Sequence, residues 1–483
     1  MNFSIIKRTL GWLLLFESIF FLLPLVTAAI YWEEEFFTFL ITIAITGGLG
    51  GLCVLGKPKN KSIYTKEGFV IVALCWIVLS LFGALPFFLS GAVPSYIDAL
   101  FETVSGFTTT GATILTDVEA MPKCLLLWRS FTHWVGGMGV LVLVMAFLPL
   151  SGAQNMYMMK AESPGPTVSK LVPKVKQTAF ILYAIYSVMT LTQFILLLCG
   201  GMPVFDALNT SFATAGTGGF SVKANGMAGY SAYLQIVITV FMLLFSVNFT
   251  SYYLLLRGKI KDAFNTEVRV FFGIVLSAIA IVTLDIYFRA DNGYGVGESI
   301  LHSSFAVASI ISTTGFSTEL FNYWPQLSQG ILLLLMFIGA CAGSTGGGVK
   351  VSRWIILSKG GMHEVRRLLH PKQVKKIVVD GKVVDHETVR SVNAYLVAYI
   401  LIFVISLLLV SVDNFDFTTS FTSVASTINN VGPGLGTVVG PDGGFASYSV
   451  FSKLVFIFDM LAGRLEVFPM LVLFAPATWR KAG

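Results

Sequence analysis

Four short segments combine glycine with serine, threonine or asparagine between strongly apolar stretches. They read VSGFTTTGAT (104–113), FATAGTGGFS (212–221), ASIISTTGFS (308–317) and ASTINNVGPG (425–434). Their alignment places Gly111, Gly219, Gly315 and Gly432 at one shared position. Glycine adopts backbone conformations that aim carbonyl oxygens to one side without a Cβ penalty, and rings of such oxygens can replace the hydration shell of a cation. The pattern therefore predicts selective coordination of a cation.

We expect each glycine and its two chain neighbours to line the ion path. The predicted filter residues are Thr110, Gly111, Ala112, Gly218, Gly219, Phe220, Thr314, Gly315, Phe316, Val431, Gly432 and Pro433. An acidic residue precedes each turn, and these four carboxylates are expected to concentrate cations at the outer mouth: Asp98, Asp206, Glu298 and Asp416. The second turn is expected to be looser than the others, and the fourth lacks a hydroxyl directly before its glycine. Four unlike linings predict moderate discrimination between K⁺ and Na⁺.

The composition is that of a membrane protein. Hydrophobic residues make up 55% of the 483 and charged residues 12%, with a mean hydropathy of +0.79, whereas soluble domains carry about 25% charged residues. A spanning helix needs about 20 apolar residues, and ten such runs occur: Leu10–Ile30, Phe36–Leu55, Gly68–Leu89, Leu125–Leu150, Thr178–Leu198, Ala232–Leu256, Val268–Tyr287, Ile331–Leu357, Ala394–Val412 and Val450–Phe474.

The glycine turns lie in segments that are too short and too polar to span but too apolar for a solvated loop. Non-helical backbone at membrane depth is tolerated where it lines a water-filled cavity, so we expect re-entrant pore loops. The fourfold recurrence predicts internal repeats. The predicted fold is an all-α polytopic membrane protein with two extra N-terminal helices and four helix–pore-loop–helix repeats around a central pore. The expected divisions are 1–66 for the extra helices, 67–150, 151–257, 258–360 and 393–483 for the repeats, and 361–392 for a cytoplasmic basic loop.

Basic residues concentrate in alternate loops, which sets the orientation. The clusters lie at 57–66, 160–176, 257–269, 353–390 and 480–481. The positive-inside rule places these segments, and with them both termini, in the cytoplasm. The segment 361–392 is long enough to dock a cytosolic partner. The five cysteines lie in or beside apolar runs without paired spacing, which is typical of small buried side chains.

The stretch SFTHWVGGMGVLV (130–142) follows the first pore loop. Gly136, Gly137 and Gly139 predict close approach between neighbouring backbones, and the Trp134 ring is expected to support the loop. His133 has no second ligand residue at metal-binding spacing. The stretch is therefore interpreted as packing for a pore.

Two features that follow the third and fourth turns are costly within an apolar helix. GACAGSTGGGVK (339–350) places five glycines in twelve residues, and each costs a helix interior about 1 kcal/mol. It is not a phosphate-binding loop, because Val349 separates Gly348 from Lys350; close helix packing remains an alternative. Arg464 lies near the middle of the last apolar run, where a cation costs about 3 kcal/mol unless it faces water or a partner; snorkelling is the alternative.

Several stretches carry a family resemblance over essentially the whole chain: SGFTTTGAT, WVGGMGV, GACAGSTGGGVK, NNVGPGLG and GRLEVFP. With the four repeats, they resemble the superfamily of K⁺ transporters that includes TrkH, KtrB and fungal Trk proteins, and the two extra N-terminal helices resemble the TrkH type. The resemblance implies K⁺ uptake across a bacterial inner membrane by a homodimer with one pore per subunit, with K⁺ at the filter residues and no organic cofactor or nucleic acid. It also implies control by a cytosolic ring of TrkA-like nucleotide-binding subunits.

The resemblance further implies an intramembrane gate, which we expect at Gly343, Ser344, Thr345, Gly346, Gly347 and Gly348, with Lys350 at its edge and Arg464 beside it. A Na⁺-coupled Ktr-like transporter and an alternating-access cation symporter remain the alternatives. The scarcity of intramembrane charges predicted from the sequence argues against a proton relay. An enzyme is not expected, because no nucleophile–base pair or metal cluster stands out.

Overall fold

The computed structural model describes residues 1–56, 65–139, 175–289, 293–371 and 376–479. The second half of the apolar run 125–150 and the basic clusters at 57–61, 160–174, 372–375 and 480–481 lie outside the described residues. The described part is predominantly helical, and its one sheet is a two-stranded hairpin.

Two helical spans precede the repeats. Phe3–Phe20 continues through Leu22–Tyr31 as one apolar span, and Glu35–Val54 packs along it. A Cβ on Gly11 would lie 2.9 Å from the Gly50 carbonyl oxygen, and a Cβ on Gly50 would lie equally close to the Gly11 oxygen. Paired glycines therefore let these two backbones touch, as small residues do in membrane helix pairs.

Each of the four repeats begins with a long leading helix and continues with a short pore helix and a return helix. Leading helices 1–4 are Thr65–Gly83, Val175–Cys199, Thr266–Arg289 and His386–Val410. Pore helices 1–4 are Tyr96–Phe107, Val204–Gly216, Val296–Ile311 and Phe417–Ile428. Return helices 1–4 are Lys123–Gly137, Ala232–Phe245, Gln326–Ile338 and Val450–Arg464. At 12 to 16 residues the pore helices are about 18 to 24 Å long, shorter than the hydrocarbon core of about 30 Å, which agrees with the prediction that these segments do not span.

Return helices 2 and 4 differ from the prediction because their apolar runs, expected to be single spans, are broken, whereas the break after return helix 3 falls at the glycine-rich segment, as predicted. Return helix 2 is followed by Phe249–Leu256 after a bend of 91°. Return helix 3 ends before the glycine-rich segment and is followed by Val351–Leu369, and return helix 4 is followed by Phe468–Phe474. Six helices of the described residues, or seven with the bent pair, are long and apolar enough to span. Hydropathy cannot detect such breaks, because buried backbone bonded to neighbouring elements needs no polar side chains.

The basic segment 361–392 is largely structured rather than a loop. The helix Val351–Leu369 extends into it, and Val378–Val379 pairs antiparallel with Lys382–Val383. The turn between these strands is Asp380-Gly381, with φ of 50° and 72°, as two-residue hairpins of the Asp-Gly type require. The Asp380 carboxylate accepts hydrogen bonds from the Thr266 amide (2.7 Å) and hydroxyl (2.6 Å). The hairpin is thereby docked on the start of leading helix 3.

Candidate ion pathway

All four pore helices end in the same backbone motif. A non-glycine residue with φ between 54° and 59° follows each helix: Thr109, Thr217, Thr313 and Asn430. The amide after it donates back to a carbonyl five residues earlier, at 2.8–2.9 Å, in the pairs Thr110–Ser105, Gly218–Ala213, Thr314–Ser309 and Val431–Ser426. This is a Schellman motif. A left-handed conformation at a non-glycine residue costs about 1–2 kcal/mol, so its fourfold use indicates that the surrounding structure enforces one loop geometry.

The four aligned glycines form a closed ring with the loops beside them. Their φ values are +80°, +79°, +83° and +99° in chain order. A Cβ on each glycine would meet the carbonyl oxygen that precedes the glycine of the next repeat. The distances from this added Cβ to the carbonyl oxygen are 2.0 Å for Gly111 and Gly218, 1.8 Å for Gly219 and Thr314, 2.2 Å for Gly315 and Val431, and 2.6 Å for Gly432 and Thr110. The contacts run from repeat 1 through repeats 2, 3 and 4 back to repeat 1, so the pore loops surround one axis.

A cavity of about 150 Å³ opens on the side of this ring away from the glycine-rich segment. All four ring glycines line it, together with Ala112, Phe220, Phe316 and Pro433. Its charged lining residues are Arg129, Lys223 and Asp442. Eight of the twelve predicted filter residues, two from each repeat, therefore line one opening, and the other four (Thr110, Gly218, Thr314 and Val431) do not line it.

The four acidic residues expected at the mouth do not line this cavity. Each instead lies at the start of a pore helix, where a negative group stabilises the helix dipole. Asp98 pairs with Lys453 at 2.7 Å, and Asp206 accepts from the Tyr230 hydroxyl at 2.9 Å. The Glu298 carboxylate accepts a hydrogen bond at 3.1 Å from the amide of Gly295, the residue just before its own helix. Hydrogen bonds from the Thr419 hydroxyl and amide hold the pKa of Asp416 below its usual range. Each of these carboxylates therefore stabilises the start of a pore helix.

Side-chain hydroxyls of the loops stabilise one another. The Thr110 hydroxyl lies 2.8 Å from that of Thr108 and also accepts from the Asn430 amide at 3.0 Å. The Thr314 hydroxyl lies 2.6 Å from that of Ser312. Asn430 thus links the fourth loop to the first and compensates for the missing hydroxyl in the fourth turn.

His133 supports the second loop directly, contrary to the interpretation of its stretch as simple packing. Its Nδ1 donates to the Gly106 carbonyl at 2.8 Å, and its Nε2 accepts from the Phe220 amide at 3.3 Å. A Cβ on Gly218 would lie only 2.2 Å from the ring, so the second loop is closely packed against His133 at this glycine. Trp134 contacts Tyr186 and the pore-helix residue Phe212, one layer further out.

The glycines of this stretch allow return helix 1 to touch the ends of two pore helices. A Cβ on Gly136 would overlap the Phe107 carbonyl at 1.8 Å, and one on Gly137 would lie 2.7 Å from the Cα of Gly216. This agrees with the predicted close backbone approach. Gly139 instead marks a turn, with φ of 87°.

Buried charges are more frequent than the sequence suggested. Glu102 and Arg129 form an ion pair behind the first two loops, where Arg129 also borders the cavity, with side chains 0% and 3% exposed. Neither was identified from the sequence, although an acid in an apolar pore helix and an arginine in a return helix are functional signals in a membrane segment. Further buried charged side chains include Glu17, Glu267, Lys350, Arg353 and Asp459.

The glycine-rich segment 339–350, hereafter called the gate loop after its predicted role, lies against the inner ends of pore helices 3 and 4. The Gly347 amide donates to the Thr313 hydroxyl at 2.6 Å, and the Gly348 amide donates to the Asn429 carbonyl at 3.0 Å. A Cβ on Gly346 would lie 2.7 Å from the Ser312 carbonyl oxygen. Glycine is therefore required for this backbone to fit directly beneath the loops.

Other elements hold the gate loop at its edges. The Glu267 carboxylate on leading helix 3 accepts from the Ala342 amide at 2.7 Å and the Ser352 amide at 3.2 Å. The Cys341 amide donates to the Ser246 carbonyl at the break after return helix 2, at 3.1 Å. The buried Lys350 ammonium donates to the Gly346 carbonyl within the loop.

Arg464 joins the gate loop to the first repeat. One of its amino groups donates to the Thr345 carbonyl at 2.7 Å, and the other donates to the carbonyls of Gly136 and Gly137 at 2.7 and 2.5 Å. These contacts account for a guanidinium at this depth without snorkelling. The side chain bridges opposite walls beneath the ring.

A second buried arginine reinforces the same region. Arg353, in the first turn of the helix after the gate loop, pairs with Glu466 and lies 4.0 Å above the Tyr395 ring. Glu466 and Val467 both have positive φ, 58° and 68°, which is a genuine outlier for a β-branched valine. The ion pair therefore ties the exit of the gate loop to the strained break two residues beyond Arg464.

Comparisons with known proteins agree over the full length. The family model described as "TrkH: Cation transport protein" matches residues 33–481. The Trk system potassium uptake protein TrkH of Salmonella typhimurium is 38% identical, and that of Halomonas elongata is 36% identical, in each case over 100% of both chains. The crystal structure of the potassium transporter TrkH from Vibrio parahaemolyticus superposes with a TM-score of 0.89 at 34% identity, covering 99% of this chain and 100% of that one.

Proposed function

Because this chain belongs to the TrkH family of cation transport proteins, we propose that it takes up K⁺ across a bacterial inner membrane through the ring formed by its four pore loops. The observation that carries the proposal is the closed sequence of contacts between each ring glycine and the carbonyl of the next repeat. The TrkH proteins of Salmonella typhimurium and Halomonas elongata are potassium uptake proteins. The ring supplies backbone carbonyl oxygens, which are the ligands that such transport needs.

The proposed ligands are the backbone carbonyls of the filter residues. Four carbonyl oxygens, from Thr110, Gly218, Thr314 and Val431, each lie against a glycine of the neighbouring loop. All four pore helices end at this ring, so the partly negative ends of their dipoles face the ion. Carbonyl oxygens then replace the water lost on entry. Because the side chains behind the four loops differ, we propose moderate rather than sharp discrimination against Na⁺.

We further propose that the gate loop and Arg464 together obstruct the path below the ring. The supporting observations are the bonds of Arg464 to Thr345 on one side and to Gly136 and Gly137 on the other. An arginine placed there repels a permeating cation, and the glycine-rich backbone can move without side-chain clashes.

Control of this gate is proposed to come from a TrkA-like cytosolic nucleotide-binding subunit acting on a homodimer of this chain. The gate loop continues directly into the helix Val351–Leu369, so a partner bound to that helix can pull on the loop. Met362, Val365 and Leu368 leave 58%, 58% and 80% of their surface exposed on it, beside basic residues.

The test is tracer rubidium uptake into liposomes that hold the purified protein and trapped KCl. Uptake abolished by external K⁺ and spared by equal external Na⁺ supports a K⁺-selective pathway. Equal competition by both ions contradicts it. If uptake is absent, the cytosolic subunit is added with nucleotide. Uptake that then appears indicates a closed gate, and uptake that stays absent contradicts the assignment of the filter. Protein-free liposomes provide the baseline.

A further inference from the structure

We propose that Glu102 and Arg129 are positioning residues that set the discrimination between K⁺ and Na⁺ by holding the first two pore loops together from behind. The inference rests on the proposed function, because it concerns the rigidity of the same ring. Neither side chain needs to touch the ion for this role.

Glu102 gathers the first loop. Its carboxylate, on pore helix 1, accepts from the Thr113 hydroxyl at 3.0 and 3.1 Å and from the Ile114 amide at 3.0 Å. Both donors lie just beyond Gly111 and Ala112 in the chain. The carboxylate therefore ties the outgoing strand of the loop to the helix that leads into it.

Arg129 extends this connection to the second loop. Its Nε donates to Glu102 at 2.5 Å, and its Nη1 donates to the Ser221 carbonyl at 3.0 Å. The guanidinium lies 3.5 Å from the centre of the Phe220 ring, and the centre of the His133 ring lies 4.2 Å from it. The filter residue Phe220 is thus contacted by two side chains of return helix 1, and the Glu102–Arg129 pair joins the outgoing segments of two neighbouring loops.

The other two loops are held in a different way. In repeat 3 the Ser309 hydroxyl donates to the Phe316 carbonyl at 2.6 Å, and in repeat 4 the Ser426 hydroxyl donates to the Gly432 carbonyl at 2.5 Å. The positions in repeats 1 and 2 that match these two serines are Ser105 and Ala213. The buried Ser105 hydroxyl has no hydrogen-bond partner within the described residues, and Ala213 has no hydroxyl. Loops 1 and 2 therefore lack the local tie of loops 3 and 4, and the Glu102–Arg129 pair takes its place.

The selectivity of a carbonyl ring depends on how firmly its oxygens keep their positions. Loss of the pair frees the outgoing strands of loops 1 and 2, and their oxygens can then close around a smaller ion. Because both residues act as one unit, removal of either one is expected to have the same effect, and the double variant is expected to add nothing.

The experiment compares inhibition of rubidium uptake by external K⁺ and by external Na⁺ in liposomes. We expect Glu102→Gln and Arg129→Gln each to lower the K⁺ over Na⁺ ratio by about tenfold, which corresponds to about 1.4 kcal/mol of differential binding. The matched control is Asp98→Asn, which breaks the ion pair with Lys453 one turn earlier on the same pore helix. That pair contacts no filter residue within the described part of the chain, so the ratio should stay at its wild-type value.

A merely structural role for the pair would lower the yield of protein or the flux of all ions equally, with the ratio unchanged. Arg129→Lys keeps the buried charge opposite Glu102 but not the planar fork that reaches both partners, so we expect it to fold and to lose part of the ratio. A wild-type ratio in Arg129→Lys or in both glutamine variants overturns the inference. Wild-type protein measured in parallel separates the two proposals, because its failure to discriminate overturns the filter itself.

Discussion

The replacement Gly315→Ser tests the ring most directly. Gly315 has φ of +83°, and a Cβ there would lie 2.2 Å from the Val431 carbonyl oxygen and 2.7 Å from Cδ of Pro433. Real Cβ atoms essentially never approach a neighbour closer than 3.0 Å, so the Val431 oxygen must withdraw by at least 0.8 Å. The left-handed backbone adds about 1–2 kcal/mol of strain in a non-glycine residue.

We expect this displacement to spoil one of four coordinating oxygens and so to reduce K⁺ over Na⁺ discrimination. A tenfold loss requires only about 1.4 kcal/mol, which is comparable with the backbone strain alone. The assay is rubidium uptake into KCl-loaded liposomes, with inhibition curves for external K⁺ and Na⁺. The expected result is retained uptake that both cations inhibit at similar concentrations.

The matched control is Gly330→Ser on return helix 3 of the same repeat. A Cβ there meets nothing within 4 Å, and its φ is not positive. The control therefore carries the same new side chain without the clash, and it should behave as wild type. Full K⁺ selectivity in a folded Gly315→Ser variant would refute the reasoning that this glycine carries the ring.

Three further outcomes follow from the same contacts. Gly219→Ala should reduce K⁺ over Na⁺ discrimination more than Gly432→Ala, because the added Cβ would lie 1.8 Å rather than 2.6 Å from the nearest carbonyl oxygen. The reverse order in uptake competition would contradict the ring geometry. Arg464→Ala removes three hydrogen bonds beneath the ring, each worth about 1.5–3 kcal/mol for a charged donor. It should therefore raise rubidium flux several-fold in the absence of the cytosolic subunit, and unchanged flux would argue against the gate. Arg353→Gln should also raise that basal flux, by releasing Glu466 beside the strained break, and flux equal to wild type would confine this pair to folding.

Much of the architecture was readable from local signals. The four glycine turns were found because the chain needs glycine wherever φ is positive and a neighbouring backbone lies close, and that need recurs at Gly111, Gly219, Gly315 and Gly432. The gate loop and Arg464 were noticed for a related reason, since glycines and a guanidinium are costly within an apolar helix. Hydropathy gave helix positions but missed the breaks after return helices 2 and 4.

The sites missed depend on contacts between distant parts of the chain. Glu102 and Arg129 are 27 positions apart, and the carbonyl of Ser221 lies 92 positions beyond Arg129. His133 resembled packing in a glycine-rich helix until its ring was found between Gly106 and Phe220. The acidic residues ahead of the loops were expected at the mouth, but none of them lines the cavity. A carboxylate at a helix start can face solvent or stabilise the helix, and spacing does not distinguish the two.

The sequence by itself determined that this is a polytopic membrane protein with four re-entrant glycine turns, because burial in lipid and positive φ restrict which residues are possible at each position. Only the tertiary structure decided which carbonyl meets which glycine, which charges pair behind the loops and what Arg464 bridges. The physical reason is that hydrophobicity and backbone preference act within a few residues, whereas the ring and its supports are made by hydrogen bonds and steric contacts between repeats that no local spacing encodes.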